Sequence, residues 1–230
     1  MANNTIDNNK LIAKNTAFLY IRMFVVLVIT LYTSRVVLRT LGVTDYGVYN
    51  VVGSLATMFS FLNSSLSGAA QRFYNYERSS GGRSMRQVFL TALSISAILS
   101  IILLTLMEAC GVPYIQHVMV LPEGRMGAAH WVYQFSCLCL IVTIMEVPFT
   151  AVLLANEKMN FYAVVTVIET LCRLGLVVML PKVPADKLVV YAGMNLFLAS
   201  LSAVLYAVYA YKVEPGLHDR GNNVKTCTTN

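Results

Sequence analysis

The chain has 230 residues, of which 57% are apolar and only 12% are charged, and its formal net charge is +6. A soluble domain carries about twice that share of charged residues, so most of this surface does not face water. The composition excludes an ordinary soluble domain and predicts an all-α protein made of several membrane-spanning helices of about twenty residues each.

The start of the chain predicts a retained first span. Residues 1–15 are polar, and the apolar run behind them is longer than a signal-peptide core and lacks a small-x-small cleavage site. The five cysteines follow no disulfide, redox or metal-ligand spacing. We therefore expect a cytoplasmic N-terminal segment over 1–15, no disulfide framework, no metal and no other cofactor.

Six apolar stretches are each long enough to cross the hydrocarbon core as a helix. They cover residues 16–34, 46–70, 88–111, 131–155, 161–180 and 188–211. Short connectors with turn residues join them, and neither a soluble domain nor a low-complexity tract interrupts them. The sequence predicts one six-helix transmembrane bundle over 16–211 and a polar, disordered cytoplasmic tail over 212–230.

The distribution of basic residues predicts the orientation. Of the 17 Lys and Arg residues, two lie inside predicted spans, and most of the others lie on the side of the N-terminus. On the other side are only Arg35, Arg39, Arg125, Lys182 and Lys187. Positive residues collect on the cytoplasmic side of membrane proteins, so both termini are expected in the cytoplasm.

The first two spans carry polar groups whose role the sequence leaves open. Arg22 lies near the cytoplasmic end of span one, where it either extends to the interface or faces a cavity. Span two has small and polar residues at spacings of three and four, which places them on one helix face: Asn50, Gly53, Thr57, Ser60, Ser64, Ser67 and Gln71. This face either packs closely against another helix or lines a wet cavity, with Asn50, Asn63 and Gln71 offering amide hydrogen bonds.

The connector 71–87 contains four arginines against the single acid Glu77. Such a loop attracts anionic lipid headgroups at about 1 kcal/mol per charge. It serves equally well as a plain determinant of topology.

Spans four and five place charges near the middle of the membrane. Glu146 lies two residues before Pro148, which removes a backbone hydrogen bond and is expected to kink the helix. Glu169 and Arg173 share one face of span five with Tyr162 and Thr166. A charged group at this depth costs about 2.5 to 3.5 kcal/mol, so this face is predicted to face protein or water. For Glu146, pairing with an arginine in a dry interior is the alternative to a cavity.

The sequence offers no reaction centre. All three histidines fall in or beside predicted loops, no aspartate lies within a span, and no His-Glu-x-x-His motif occurs. We therefore expect no enzymatic activity and no nucleic-acid partner. The ionisable groups inside the spans favour a transport path or a structural network.

The first third of the chain carries a family resemblance. The stretch "RTLGVTDYGVY" resembles the R-x-L-G-x-x-x-Y-G-x-Y turn between spans one and two of bacterial polysaccharide-biosynthesis flippases, in the multidrug/oligosaccharidyl-lipid/polysaccharide exporter superfamily. The surrounding "NTAFLYIRMFVVLVITLYTS" and the later "FSFLNSSLSGAAQRFYNYE" extend the resemblance to about Glu77. It implies transport of an undecaprenyl-pyrophosphate-linked oligosaccharide to the outer leaflet by alternating access.

The resemblance also implies roles for individual residues. Family members hold a cationic cavity between two lobes, in which arginines would bind the pyrophosphate; the candidates are Arg22, Arg35, Arg39, Arg72 and Arg173. Glu146 and Glu169 would either take up a coupling proton or orient these arginines. Asn50 and Asn63 are the candidates for polar contacts in the cavity, and membrane lipids are the expected surroundings.

This chain departs from the family in length. Family members have about twelve to fourteen spans in two lobes, and the chain supplies the spans of one. We expect a truncated product, an interrupted reading frame or a half-transporter that pairs with a second lobe or a second copy. The alternatives to a flippase lobe are a non-transporting membrane fragment or scaffold and a multidrug exporter of the same superfamily.

Overall fold

The computed structural model describes residues 2–80, 85–117, 124–156 and 159–213, and within these ranges the chain is helical without strands. The elements are α1 (Ala2–Thr57), α2 (Ser60–Ser80), α3 (Met85–His117), α4 (Met126–Ala155), α5 (Met159–Met179), a 3-10 helix (Leu180–Lys182) and α6 (Lys187–Val213). The expected all-α bundle is confirmed.

Five helical stretches are long and apolar enough to cross a membrane: Tyr20–Glu77, Arg86–His117, Met126–Ala155, Asn160–Lys182 and Lys187–Val213. The first contains 58 residues. A straight helix of that length would extend about 87 Å, at 1.5 Å per residue. Because a hydrocarbon core is only about 30 Å thick, this stretch supplies two crossings if the chain reverses within it.

The reversal occurs at Gly42, which has φ 82° and ψ 168°. A side chain is strained at this φ, whereas glycine adopts it freely. Helix continues on both sides of this residue. The turn predicted between spans one and two is therefore confirmed, and its non-helical backbone is confined to Gly42.

Side-chain contacts show that the segments before and after Gly42 run antiparallel. Val37 and Tyr46 pack in one apolar cluster with the C-terminal end of α5. Arg22 lies over the ring of Tyr162, near the start of α5, and Asn63 lines a cavity with the same tyrosine. The stretch Tyr20–Glu77 thus forms a hairpin, and with the four later helices it gives the six crossings that the apolar pattern predicts. We call the two ends of the bundle the Gly42 end and the Tyr162 end.

The helices extend beyond several of the predicted apolar stretches. Span one was expected to end at residue 34, but the helix continues to the reversal at Gly42. The polar segment 1–15 is part of the same helix, since α1 begins at Ala2. Span two is interrupted at residues 58 and 59, where the amides of Phe59 and Leu62 bond three residues back. The connector residues 81–84 and the tail beyond Val213 lie outside the described residues.

α4 lies at the centre of the bundle. Half of its most apolar stretch is buried, against 11–28% for the other candidate spans. Its buried side chains join two apolar clusters, one with α1, α3 and α6 and one with α2, α3, α5 and α6. The helix continues through Pro148, which is itself buried.

α3 approaches α4 closely at one glycine. The Tyr133 hydroxyl of α4 donates a hydrogen bond of 2.7 Å to the Met107 carbonyl oxygen, and its ring fills the space that a side chain at Gly111 would occupy. Glycine at position 111 therefore permits this contact between the two helices.

An ion network joins three connections at the Gly42 end. The Arg125 guanidinium lies 2.8 Å from the Asp45 carboxylate and 2.9 Å from that of Asp186. Asp186 also accepts a 3.1 Å hydrogen bond from the Leu188 amide at the start of α6, which satisfies a free helix-terminal donor. One arginine thus links the hairpin turn, the start of α4 and the start of α6.

Candidate functional site

A polar groove runs along the bundle between the second arm of the hairpin and α4. Its part nearer the Gly42 end is a chamber of about 410 Å³, which we call the neutral chamber. Hydroxyl, amide and aromatic side chains line it, together with small residues: Tyr49, Asn50, Gly53, Ser54, Ala56, Thr57, Ser60, Phe135, Ser136, Cys139, Leu140, Thr143, Ala192 and Asn195. The polar face predicted on span two therefore borders a cavity.

A second chamber of about 440 Å³ continues the groove toward the Tyr162 end. We call it the charged chamber because Glu146 lines it. Its other lining residues come from α2, α4 and α5: Ser60, Asn63, Ser64, Ser67, Thr143, Val147, Thr150, Leu154 and Tyr162. Ser60 and Thr143 border both chambers, so the two chambers are neighbours along the groove.

Glu146 meets α6 in the interior. Its carboxylate accepts a 3.4 Å hydrogen bond from the Ser202 hydroxyl. The expected pairing of Glu146 with Arg173 or Arg22 is not seen: no ion pair to Glu146 is present among the residues that the structure describes. Glu146 instead interacts electrostatically with the carboxylate of Glu169.

The two charges predicted on span five form an ion pair. Arg173 Nη2 lies 3.0 Å from Glu169 Oε1, and the two side chains are 41% and 26% exposed. The charge of Arg173 also interacts with Tyr49 and Cys139, which line the neutral chamber. The pair thus lies within electrostatic reach of both chambers, which agrees with the prediction that this face of the helix turns inward.

Arg22 points into the bundle as well. Its guanidinium carbon lies 5.1 Å from the centroid of the Tyr162 ring, a cation–π contact. Its Nε and Nη1 are buried and have no hydrogen-bond partner among the described residues, and the same is true of Arg173 Nε. Two guanidinium groups therefore have unused donors inside the bundle.

The other predicted arginines lie elsewhere. Arg35, Arg39 and Arg72 are exposed and line none of the described chambers. As ligands of a substrate they stay predictions. The structure thus brings together Asn50, Asn63, Arg22, Glu146, Glu169 and Arg173, but not these three arginines.

At the Gly42 end of the groove, the sequence pattern did not predict Asn195, Tyr49 or Tyr191 as residues of the site. The rings of Tyr49 and Tyr191 meet with their centroids 4.8 Å apart, and Asn195 Nδ2 lies 3.4 Å from the Tyr49 hydroxyl. The only local sign of this part of the site was Asn195, a polar residue inside predicted span six. Its partner is 146 residues away in the chain, and no local pattern connects them.

Metal binding has no support in the described part of the chain. No group of three or more His, Cys, Asp or Glu side chains there is arranged to hold a metal ion.

Comparison with protein-family models, with curated proteins and with solved structures gives no match to this chain.

Proposed function

We propose that this chain is one lobe of a flippase that exports a lipid-linked oligosaccharide by alternating access. The observation that carries the proposal is the pair of guanidinium groups with unused donors beside a membrane-spanning polar groove. Arg22 and Arg173 together leave three buried nitrogen atoms without a partner among the described residues. A pyrophosphate supplies the oxygen acceptors that such donors lack, and guanidinium forks suit its geometry.

Burial makes this match energetically relevant. A buried donor without a partner costs about 1–3 kcal/mol, and a charged group in the hydrocarbon region is more costly still. Binding a phosphate would remove part of this cost. The groove would therefore favour an anionic headgroup while the lipid chain remains in the surrounding bilayer.

The carboxylates in the groove have a supporting role in this proposal. Glu169, 3.0 Å from Arg173, fixes the orientation of its guanidinium. Two acidic and two basic side chains face the interior, so the empty groove carries no large net charge. We place the chain in a bacterial inner membrane with both termini in the cytoplasm, in accord with its excess of basic residues on that side.

The test is export of surface glycan in cells that depend on this protein. Arg173→Ala should reduce export at least tenfold at equal protein level, because it removes donors that the phosphate requires. Lys182→Ala, which alters an exposed basic residue outside the chambers, serves as the control and should export normally. Full export by Arg173→Ala would contradict the assignment of this residue.

An exporter of cationic compounds is the second candidate. Glu146 has no cationic partner among the described residues, and the rings of Tyr162 and Tyr206 stack beside it with centroids 5.8 Å apart. Carboxylates and aromatic faces attract organic cations. Protection of cells against such compounds, lost in Glu146→Gln, would favour this function over the first.

A further inference from the structure

The neutral chamber is lined mainly by hydrogen-bond acceptors. We propose that it binds an uncharged, hydroxyl-rich group, namely a sugar ring of the glycan, and that it does not take up the phosphate. This inference rests on the proposed function for the identity of the ligand. Its chemical basis lies in the side-chain hydrogen bonds of the chamber wall.

Four hydroxyl groups of the wall already donate their single hydrogen. Ser54, Thr57, Ser136 and Thr143 each bond to a carbonyl three or four residues earlier in their own helix, at 2.7 to 3.0 Å. A hydroxyl has one hydrogen and two lone pairs. What these residues offer to a ligand is therefore oxygen lone pairs.

The two side-chain amides of the wall also donate a hydrogen to a carbonyl of their own helix. Asn50 Nδ2 donates to the Tyr46 carbonyl at 2.7 Å, and Asn195 Nδ2 donates to the Tyr191 carbonyl at 2.9 Å. Each amide oxygen stays free to accept. The ring of Phe135 adds an apolar surface, which suits the C–H face of a sugar. Acceptors beside an aromatic ring match a ligand that has several hydroxyl donors.

Anions fit this wall poorly. No charged side chain is among the described residues that line the chamber. The charge of Arg173 interacts with the lining residues Tyr49 and Cys139, but Glu169 balances it from 3.0 Å. A phosphate in the chamber would lose water and meet oxygen lone pairs, which is unfavourable.

The chamber has the size of a small-molecule site. Its volume of about 410 Å³ lies within the range of about 300–1,000 Å³ that is usual for such sites. Ser60 and Thr143 separate it from the charged chamber. The chamber is therefore large enough to hold one sugar ring.

The experiment measures binding of two probes that share a hexyl chain, hexyl β-glucoside and hexyl phosphate, to the purified full chain in lipid nanodiscs. Trp131, the single tryptophan, packs 5.9 Å from the Phe135 ring and reports occupancy by its fluorescence. Thr57→Val with Ser136→Ala removes two acceptors that line only the neutral chamber. We expect this double variant to bind the glucoside about tenfold or more weakly, since each lost hydrogen bond contributes about 1 kcal/mol.

Thr105→Val is the matched control, because Thr105 makes the same 2.8 Å bond to its own helix but is exposed on α3 outside the chambers. It should bind the glucoside like the parent chain. Asn195→Leu, which removes an acceptor on α6, is an independent second variant in case the double variant does not fold. Its affinity for the glucoside should fall by a factor of about five to ten.

Two results would overturn the inference. One is equal glucoside affinity in the chamber variants and in Thr105→Val. The other is a loss of hexyl phosphate binding in the chamber variants as large as the loss of glucoside binding. The binding assay involves no transport. If the parent chain binds the glucoside but exports no glycan, only the proposed function is contradicted. If the parent chain exports glycan and the chamber variants bind the glucoside as well as it does, only this inference is contradicted.

Discussion

Replacing Glu169 and Arg173, singly and together, tests whether their ion pair stabilises the bundle. The two charges are 3.0 Å apart. At that distance the Coulomb attraction is about 1.4 kcal/mol in water and about 5.5 kcal/mol at an effective dielectric constant of 20. The side chains are 41% and 26% exposed, so the pair lies between the exposed and buried limits, and desolvation offsets part of the attraction.

We expect Glu169→Gln and Arg173→Met each to lower the free energy of unfolding by about 2 kcal/mol, between the values for exposed and buried pairs. The double variant should also lose about 2 kcal/mol, because the second replacement removes a charge that has already lost its partner. The free energies come from equilibrium unfolding in detergent micelles, followed by circular dichroism. Arg35→Met, at an exposed position, is the control and should change stability by less than about 0.5 kcal/mol.

Additive losses in the double variant would refute this reasoning, because independent sites show coupling energies below about 0.5 kcal/mol. The same double variant also separates structure from transport. If it keeps most of its stability but exports no glycan, Arg173 acts on the substrate as well as on Glu169.

Two further predictions concern the fixed contacts of the bundle. Gly111→Ala should lower the free energy of unfolding by about 1–3 kcal/mol, because the added methyl group overpacks against Tyr133. The loss should be smaller in a Tyr133→Phe background, which lacks the contacting hydroxyl. An equal loss in both backgrounds would contradict the contact. Arg125→Ala should lower the unfolding temperature in a detergent thermal scan, because it leaves the buried Asp45 and the partly exposed Asp186 unpaired. Arg125→Lys should recover part of that loss, and an unchanged temperature for Arg125→Ala would show that the network has no stabilising effect.

The apolar pattern predicted the six crossings because apolar length is set by the hydrocarbon core. It predicted the helix ends less well. The backbone continues its hydrogen bonds through polar residues such as Arg35 and Arg39, since a helix does not have to end where lipid ends. Gly42 was identifiable because only glycine adopts its φ without strain.

The sequence predicted which residues of one helix share a face, but it did not predict which residues of different helices meet. Periodicity placed Asn50 on one face of its helix and Glu169 with Arg173 on one face of another helix. In the structure the first face lines the groove, and the second carries a partly exposed ion pair. Which helix lies opposite depends on tertiary packing. Asn195 and the network around Arg125 connect residues 61 to 146 positions apart, a separation at which periodicity carries no information.

The central position of α4 determines which parts of this protein are free to move. This helix supplies walls to both chambers, and half of its apolar stretch is enclosed by the other helices. Moving it would disrupt close packing on all sides, whereas the outer helices have mostly lipid neighbours. In the alternating access that we propose, α4 therefore serves as the fixed reference for the other helices. Among the candidate spans, the stretch Tyr20–Glu77 has the smallest buried share of its apolar window, 11%, so much of the contact with the surrounding lipid falls on it.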